Sequence, residues 1–358
     1  MRGRVMQGRR SFLTGLLAAG LCPRPTWADA GGPAFLSAAR RPDGGYVLCG
    51  LAHDGQIIFE LPLPSRGHAA AAHPIRAEAV AFARRPGNFA IVIDCANGAQ
   101  IVRLDAPEGR HFYGHGVFAE GGDILLTTEN DFDAARGVVG VWDVRAGYKR
   151  IGEFESHGIG PHDIKLLPDG RTLVVANGGI ETHPETGRTK LNIPTMRPNL
   201  TYLSLDGQAL AQVELDAALH KNSIRHLAVA GDGRVGFAMQ WEGDVSEAPP
   251  LLGLHKLSEG GPAQLCGADT ARAMHGYLGS IAMNGGTLAV TSPRGGLVQE
   301  FSTQTLEMQR TQAITDVCGI APEAKGFVVT SGTGLVLGPG QPVQHSRQWD
   351  NHLVPVTG

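Results

Sequence analysis

One phrase recurs along the chain, and it restricts the fold more than anything else in the sequence. An apolar strand, an Asp- or Gly-containing turn, a second apolar strand and a further Gly turn repeat in units that begin near Phe35, Ala79, His115, His162, His226, Gly279 and Cys318. The turns include Pro42-Asp43-Gly44-Gly45, Pro168-Asp169-Gly170 and Gly231-Asp232-Gly233, each followed by a run of β-forming apolar residues such as Leu173-Val174-Val175-Ala176. A small four-stranded sheet cannot bury both of its faces alone. Radial packing between two neighbours covers both and leaves only short edges exposed. Seven such units predict an all-β chain folded as a seven-bladed β-propeller. A pair of β-sandwiches or a closed barrel would also be all-β, but neither explains seven similarly phrased units. Helical patterning is nearly absent, and residues 69–72 and 216–219 read as short helical turns at most.

The amino terminus carries an export pattern. Gly8-Arg9-Arg10-Ser11-Phe12-Leu13 is a twin-arginine motif, followed by an apolar run over 13–22 and a small-residue cleavage site at Ala28-Asp29-Ala30. The run is about half the roughly 20 residues needed to span a bilayer. Cys22 follows Leu21, which is too large for a usual lipidation site. The expectation is a signal peptide over 1–30, a single propeller domain over 31–358, and a periplasmic protein with no membrane insertion. Removing 1–30, with its five Arg and one Asp, takes the formal net charge from −3 to −7. That balance argues against nucleic acid or an anionic membrane as a partner. The remaining cysteines, Cys49, Cys95, Cys266 and Cys318, are too widely spaced for a metal-binding pair or a dense disulfide framework.

Candidate chemistry lies at the starts of the strands. Ser156-His157-Gly158-Ile159-Gly160-Pro161-His162-Asp163 leads into one strand, and Gly114-His115-Gly116-Val117 and Ile224-Arg225-His226-Leu227 lead into others. Histidines placed alike in successive blades converge on the propeller axis. Aligning the units on their turn glycines puts His115, Asp163 and His226 in one column, with His157 and His162 just upstream. His352, in Trp349-Asp350-Asn351-His352, joins them if the tail returns to the first blade. Imidazoles with one carboxylate suit Fe(II), Cu(II) or Zn(II). The expected metal ligands are therefore His115, His162, His226, His157 and His352. Supporting or ligand-binding roles are assigned to Asp163, Glu129, Asn177, Arg225 and Arg294. His53, His68, His73 and His111 lack a repeat-register argument and are read as surface residues. The long insertions at 181–199 and 242–251 are expected to be loops on the functional face.

Several of these strings also carry a resemblance. Gly114-His115-Gly116-Val117-Phe118, Thr127-Thr128-Glu129-Asn130-Asp131, Val174-Val175-Ala176-Asn177-Gly178-Gly179-Ile180, Thr291-Ser292-Pro293-Arg294-Gly295-Gly296 and Trp349-Asp350-Asn351-His352 resemble a family of exported bacterial proteins known only as a domain of unknown function. The resemblance covers nearly the whole mature chain. It departs at Asp163, where the family pattern has Glu. Members are typically encoded beside imelysin-like iron-uptake proteins and di-haem peroxidase-like proteins. The resemblance thus implies those partners, a role in iron uptake or handling, and iron as the metal. Copper is second, because it outcompetes iron for nitrogen ligands by raw affinity.

Two other function classes stay open from the residues. One is a metal-dependent periplasmic enzyme, either an oxidoreductase or a lactonase-like hydrolase, although no G-x-S-x-G elbow is present. The other is a scaffold whose disc face docks proteins and whose histidines are structural.

Overall fold

A computed structural model describes residues 24–84, 88–187, 189–267 and 269–356. Its strands form seven antiparallel sheets arranged as seven blades. The twin-arginine motif and Cys22 lie outside the described residues. Residues 26–30, expected to leave with the signal, pack against the second blade, with Trp27 buried and its Nε1 donating to the His73 carbonyl at 2.8 Å.

The inner strands of blades 2 to 7 are Gly67–Ala72, Arg110–Ala119, Pro161–Leu166, Asn222–Val229, Ser280–Asn284 and Val317–Glu323. Blade 1 takes its inner strand from the carboxy terminus. Gln348–Trp349 and Val354–Pro355 pair in turn with the strand Phe35–Arg40, closing the ring between first and last blades. Two sequence units were therefore phased one strand late. Phe35–Arg40 is the second strand of blade 1, and Ala79 lies in the second strand of blade 2. Residues 69–72, read as a helical turn, belong to that blade's inner strand instead. Ala217–Leu219 is a single 3₁₀ turn capped by Asp216, and the short helix Asp269–Ala273 is the only α-helix among the described residues.

The core reflects why single blades cannot fold alone. Buried apolar residues form a separate cluster at each junction between blades. Phe82, Val92 and Leu104 of blade 2 meet Phe112, Leu125 and Trp142 of blade 3. Leu126 and Val139 of blade 3 meet Ile164, Leu173 and Val175 of blade 4. Blades 1 and 7 join through Phe35, Val47 and Leu51 against Ala321, Val328 and Val336. Truncating one such Leu to Ala costs about 2–5 kcal/mol.

The local feature that builds the site is a β-bulge near the start of most inner strands. Register shifts occur between Gly67 and Ala70, Phe112 and Gly116, Pro161 and Asp163, Ile224 and His226, and Val317 and Ile320. In blade 1 the segment between Trp349 and Val354 also holds more residues than the partner strand opposite it. An extra residue in one strand turns side chains away from the regular alternation. Here the bulges turn them towards the axis.

Candidate metal centre

Five imidazoles meet at the mouth of the channel, one from each of blades 1 to 5. They are His352, His68, His115, His162 and His226. Two groups of three, His68, His115 and His352, and His115, His162 and His226, each bring their ligand atoms within 4.8 Å of one another. Ring centroids lie 4.7 Å apart for His68 and His352, 4.7 Å for His115 and His352, 4.8 Å for His162 and His226, and 5.0 Å for His226 and His352. His115 belongs to both groups.

Hydrogen bonds fix which nitrogens face inward. His115 Nδ1 lies 3.2 Å from Asp163 Oδ1, so Nδ1 holds the proton and the Nε2 lone pair is left for the cluster. His162 Nδ1 lies 3.0 Å from the carbonyl of Arg225, which likewise leaves Nε2 as its ligand atom. His115 Nε2, His226 Nδ1 and His352 Nε2 are buried without a hydrogen-bond partner. A buried polar atom left unmatched costs about 1–3 kcal/mol, a cost that binding an ion would remove. Because His115 has only one free lone pair, it cannot serve two ions at once. The two groups therefore compete for His115, and an ion held by it would draw on one set of three or on imidazoles of both. An all-nitrogen set suits the later first-row metals and not Mg²⁺ or Ca²⁺, which take oxygen ligands.

Burial and mutual repulsion keep His162, His226 and His352 neutral. Burial, then the charge of His115, takes the pKa of His226 from 6.5 to about 3. Burial, reinforced by His226 and Arg225, takes His162 well below its ordinary value, and burial with His68 and His115 does the same for His352. Neutral imidazoles are the form that binds metal. Asp163 remains a carboxylate. Burial pushes its pKa up, but the Lys165 ammonium and His115 together hold it well below the ordinary carboxylate range. It also accepts backbone hydrogen bonds from Ile164 at 2.8 Å and Leu227 at 3.0 Å, which tie blade 4 to blade 5 beneath His115. This is the carboxylate–imidazole pairing that orients metal-bound histidines.

The expected residues divide sharply. His115, His162, His226, His352 and Asp163 converge as expected. His157 does not. It sits at φ 57 in an exposed turn, and its carbonyl accepts from Gln212 Nε2 on the outermost strand of blade 4, far from the axis. Glu129 is wholly buried within a strand. Its two oxygens accept from Arg150 Nη1 at 2.6 Å and Nη2 at 3.0 Å, an ion pair inside blade 3. Asn177 stitches strands together, donating from Nδ2 to the Ser156 carbonyl and to Asn199 Oδ1 while its Oδ1 accepts from Ser156 Oγ. Neither Arg225 nor Arg294 pairs with Asp163 among the described residues; its side-chain partners are His115 and the Lys165 ammonium.

Of the histidines read as surface, only His53 is exposed. His68 is a member of the cluster. His73 is buried and caps a turn, accepting at Nδ1 from the Ile75 and Arg76 backbone N–H groups. His111 is buried and stacks on Phe132. The missed signal for His68 was Gly67-His68, which matches Gly114-His115. Gly114 has φ +103, and a Cβ there would lie 2.4 Å from the His68 ring, so the two residues are fitted to each other. Blade 7 has Gly319 instead of an imidazole. A Cβ on it would strike the backbone of Leu353 at 2.6 Å, so this glycine makes room for the segment that carries His352. The buried thiol of Cys318, pushed up to about 12, donates to the Asp316 carbonyl and is no ligand.

The cluster forms a partition across the channel. On one side lies a cavity of about 390 Å³ lined by His115, His352 and apolar residues such as Ala71, Val117, Ile281 and Ile320. On the other is a polar cavity of about 310 Å³ at the mouth, lined by His68, His162, Arg225, Tyr277 and Arg294. Both insertions reach this mouth, where Lys190 of the first pairs with Glu242 of the second. No helix among the described residues is long and apolar enough to cross a membrane.

Among solved structures, hydrazine synthase from Kuenenia stuttgartiensis is similar at a TM-score of 0.61 and 13% identity, over 87% of this chain and 96% of that chain. At that identity the likeness extends to the fold alone. Comparison with curated proteins finds no significant match. A family model matches residues 61–356, which span the cluster from His68 to His352. The chain therefore belongs to the protein family of unknown function DUF1513.

Proposed function

We propose that this chain is a periplasmic metal protein. It holds one redox-active transition-metal ion through His68, His115, His162, His226 and His352 and serves in iron uptake or handling. The observation that carries this reading is the convergence of five imidazoles from five blades, three of which, His115, His226 and His352, carry a buried ring nitrogen with no hydrogen-bond partner among the described residues. A structural role would require those nitrogens to be bonded to the protein, as His73 is.

Iron is the proposed ion and copper its competitor, since copper has the higher affinity for nitrogen donors. A twin-arginine export signal supports iron. That route moves folded proteins, so the ion can be chosen in the cytoplasm, away from periplasmic copper. Imelysin-like iron-uptake proteins and di-haem peroxidase-like proteins are the proposed partners, on the strength of the family resemblance. Five imidazoles would leave a six-coordinate ion one position to fill, since blades 6 and 7 add no histidine to the cluster among the described residues. That open position also keeps an oxidoreductase within reach of the same site.

The test is the metal content of tag-free protein purified from its native periplasm without chelators, beside a folded His115→Ala/His162→Ala/His226→Ala variant. About one iron per chain in the wild type, absent from the variant, is the expected result. Metal-free protein that also fails to take up Fe(II) or Cu(II) would overturn the reading.

A further inference from the structure

The mouth cavity has a charge that the rest of the chain does not share. The whole chain is acidic, with a formal net charge of −3. The residues lining this cavity nevertheless include Arg84, Lys190, Arg225 and Arg294, against the single carboxylate of Glu242. Two of these cations are already engaged. Arg84 donates to Asp350 Oδ1 at 3.2 Å, and Lys190 pairs with Glu242. The other two differ. Arg225 is only 9% exposed, yet its Nε is buried with no hydrogen-bond partner. Arg294 lies with its guanidinium carbon over the Tyr277 ring, 4.3 Å from the ring centre.

A buried guanidinium without a counter-charge is costly, and its planar fork matches a carboxylate. Arg225 is also adjacent to the metal site. Its carbonyl accepts from His162 Nδ1, and its charge acts on both His162 and His226. An anion bound by this guanidinium would therefore sit in the same cavity as the His68, His162 and His226 rings that would hold the ion.

We infer that the mouth cavity binds a small organic di- or tricarboxylate, one carboxylate held by Arg225 and Arg294 and another oxygen completing the coordination of the ion. This rests on the metal-binding reading above and names the ligand class of the same site. A cavity of about 310 Å³ accommodates a molecule of that size. The site would then receive or release its metal as an anionic chelate, the carboxylate entering and leaving from the mouth.

The test is calorimetric titration of oxalate, citrate and inorganic phosphate into metal-loaded and metal-free full-length protein. It is run for wild type, Arg225→Gln and Arg294→Gln, with metal affinity measured separately by chelator competition. Circular dichroism confirms that each variant is folded, and Arg294→Gln carries the test if Arg225→Gln is not. Oxalate or citrate should bind the loaded wild type, perturb the visible spectrum of the bound Cu(II) or iron, and lose about tenfold or more in affinity in either variant. Metal affinity in Arg225→Gln should hold or rise, because a positive charge beside the cation has been removed. Carboxylate binding that is unchanged in both variants, or a spectrum that does not respond, would overturn the inference. So would phosphate binding as tightly as citrate. A wild type that binds metal but no carboxylate overturns this inference alone, whereas one that binds no metal overturns the metal reading and this inference with it.

Discussion

Acid should unfold the metal-free protein in a way traceable to single imidazoles. Free in an unfolded chain, His226 takes up a proton below pH 6.5, but in the folded protein burial beside His115 prevents this until about pH 3. Between those values the unfolded state binds more protons, so stability is complete above pH 6.5 and falls as the pH drops towards 3. Each such group contributes about 1.4 kcal/mol per pH unit, or about 2.5 kcal/mol between pH 7.5 and 4.5. His162 and His352, both held well below their ordinary values, act in the same direction. The His226 contribution alone is a sizeable part of the roughly 5–15 kcal/mol that holds a domain folded. The assay is urea unfolding of chelator-treated protein at several pH values, for wild type, His226→Gln and, as an exposed control, His157→Gln. The wild-type loss should shrink by about 2.5 kcal/mol in His226→Gln and stay unchanged in His157→Gln. Parallel pH profiles for wild type and His226→Gln would refute the claim that this imidazole is buried and neutral.

Other consequences follow from the same geometry. Asp163→Asn keeps the shape but removes the charge that orients His115, so metal affinity should fall about 10–100-fold by chelator competition while the fold persists. His68→Ala should lower bound metal in the purified protein and His157→Ala should not, since the fold brings the first into the cluster and leaves the second outside it. Glu129→Gln leaves Arg150 without its buried counter-charge and should destabilise the chain by about 3–5 kcal/mol in urea unfolding, with metal binding by the surviving folded protein unchanged.

The sequence reading succeeded wherever a turn glycine kept the repeat in phase. His115, Asp163 and His226 fell into one column because their strands are followed by Gly121-Gly122, Asp169-Gly170 and Asp232-Gly233. Blade 2 lacks that marker, since Pro74 and a His73-capped turn join its first two strands. The unit was consequently phased one strand late, and His68 dropped out of register. His157 failed for a different reason. Proximity in sequence to His162 says nothing about direction, and a left-handed turn residue points away from the strand that follows it. Glu129 and Asn177 were identifiable as polar residues beside strands, but their partners Arg150 and Ser156 lie across strand pairings that no local pattern reveals. The mouth cavity was less legible still. Its cations come from blades 2, 4, 5 and 6, and only the closed ring brings them together.

X-ray absorption at the metal edge of the loaded protein tests the central claim most directly. A first shell made mostly of nitrogen, with the outer-shell scattering of several imidazoles, lost in the folded His115→Ala/His162→Ala/His226→Ala variant, is the expected spectrum. A shell dominated by oxygen or sulfur, or one that survives in the variant, would place the ion elsewhere and contradict the five-histidine centre.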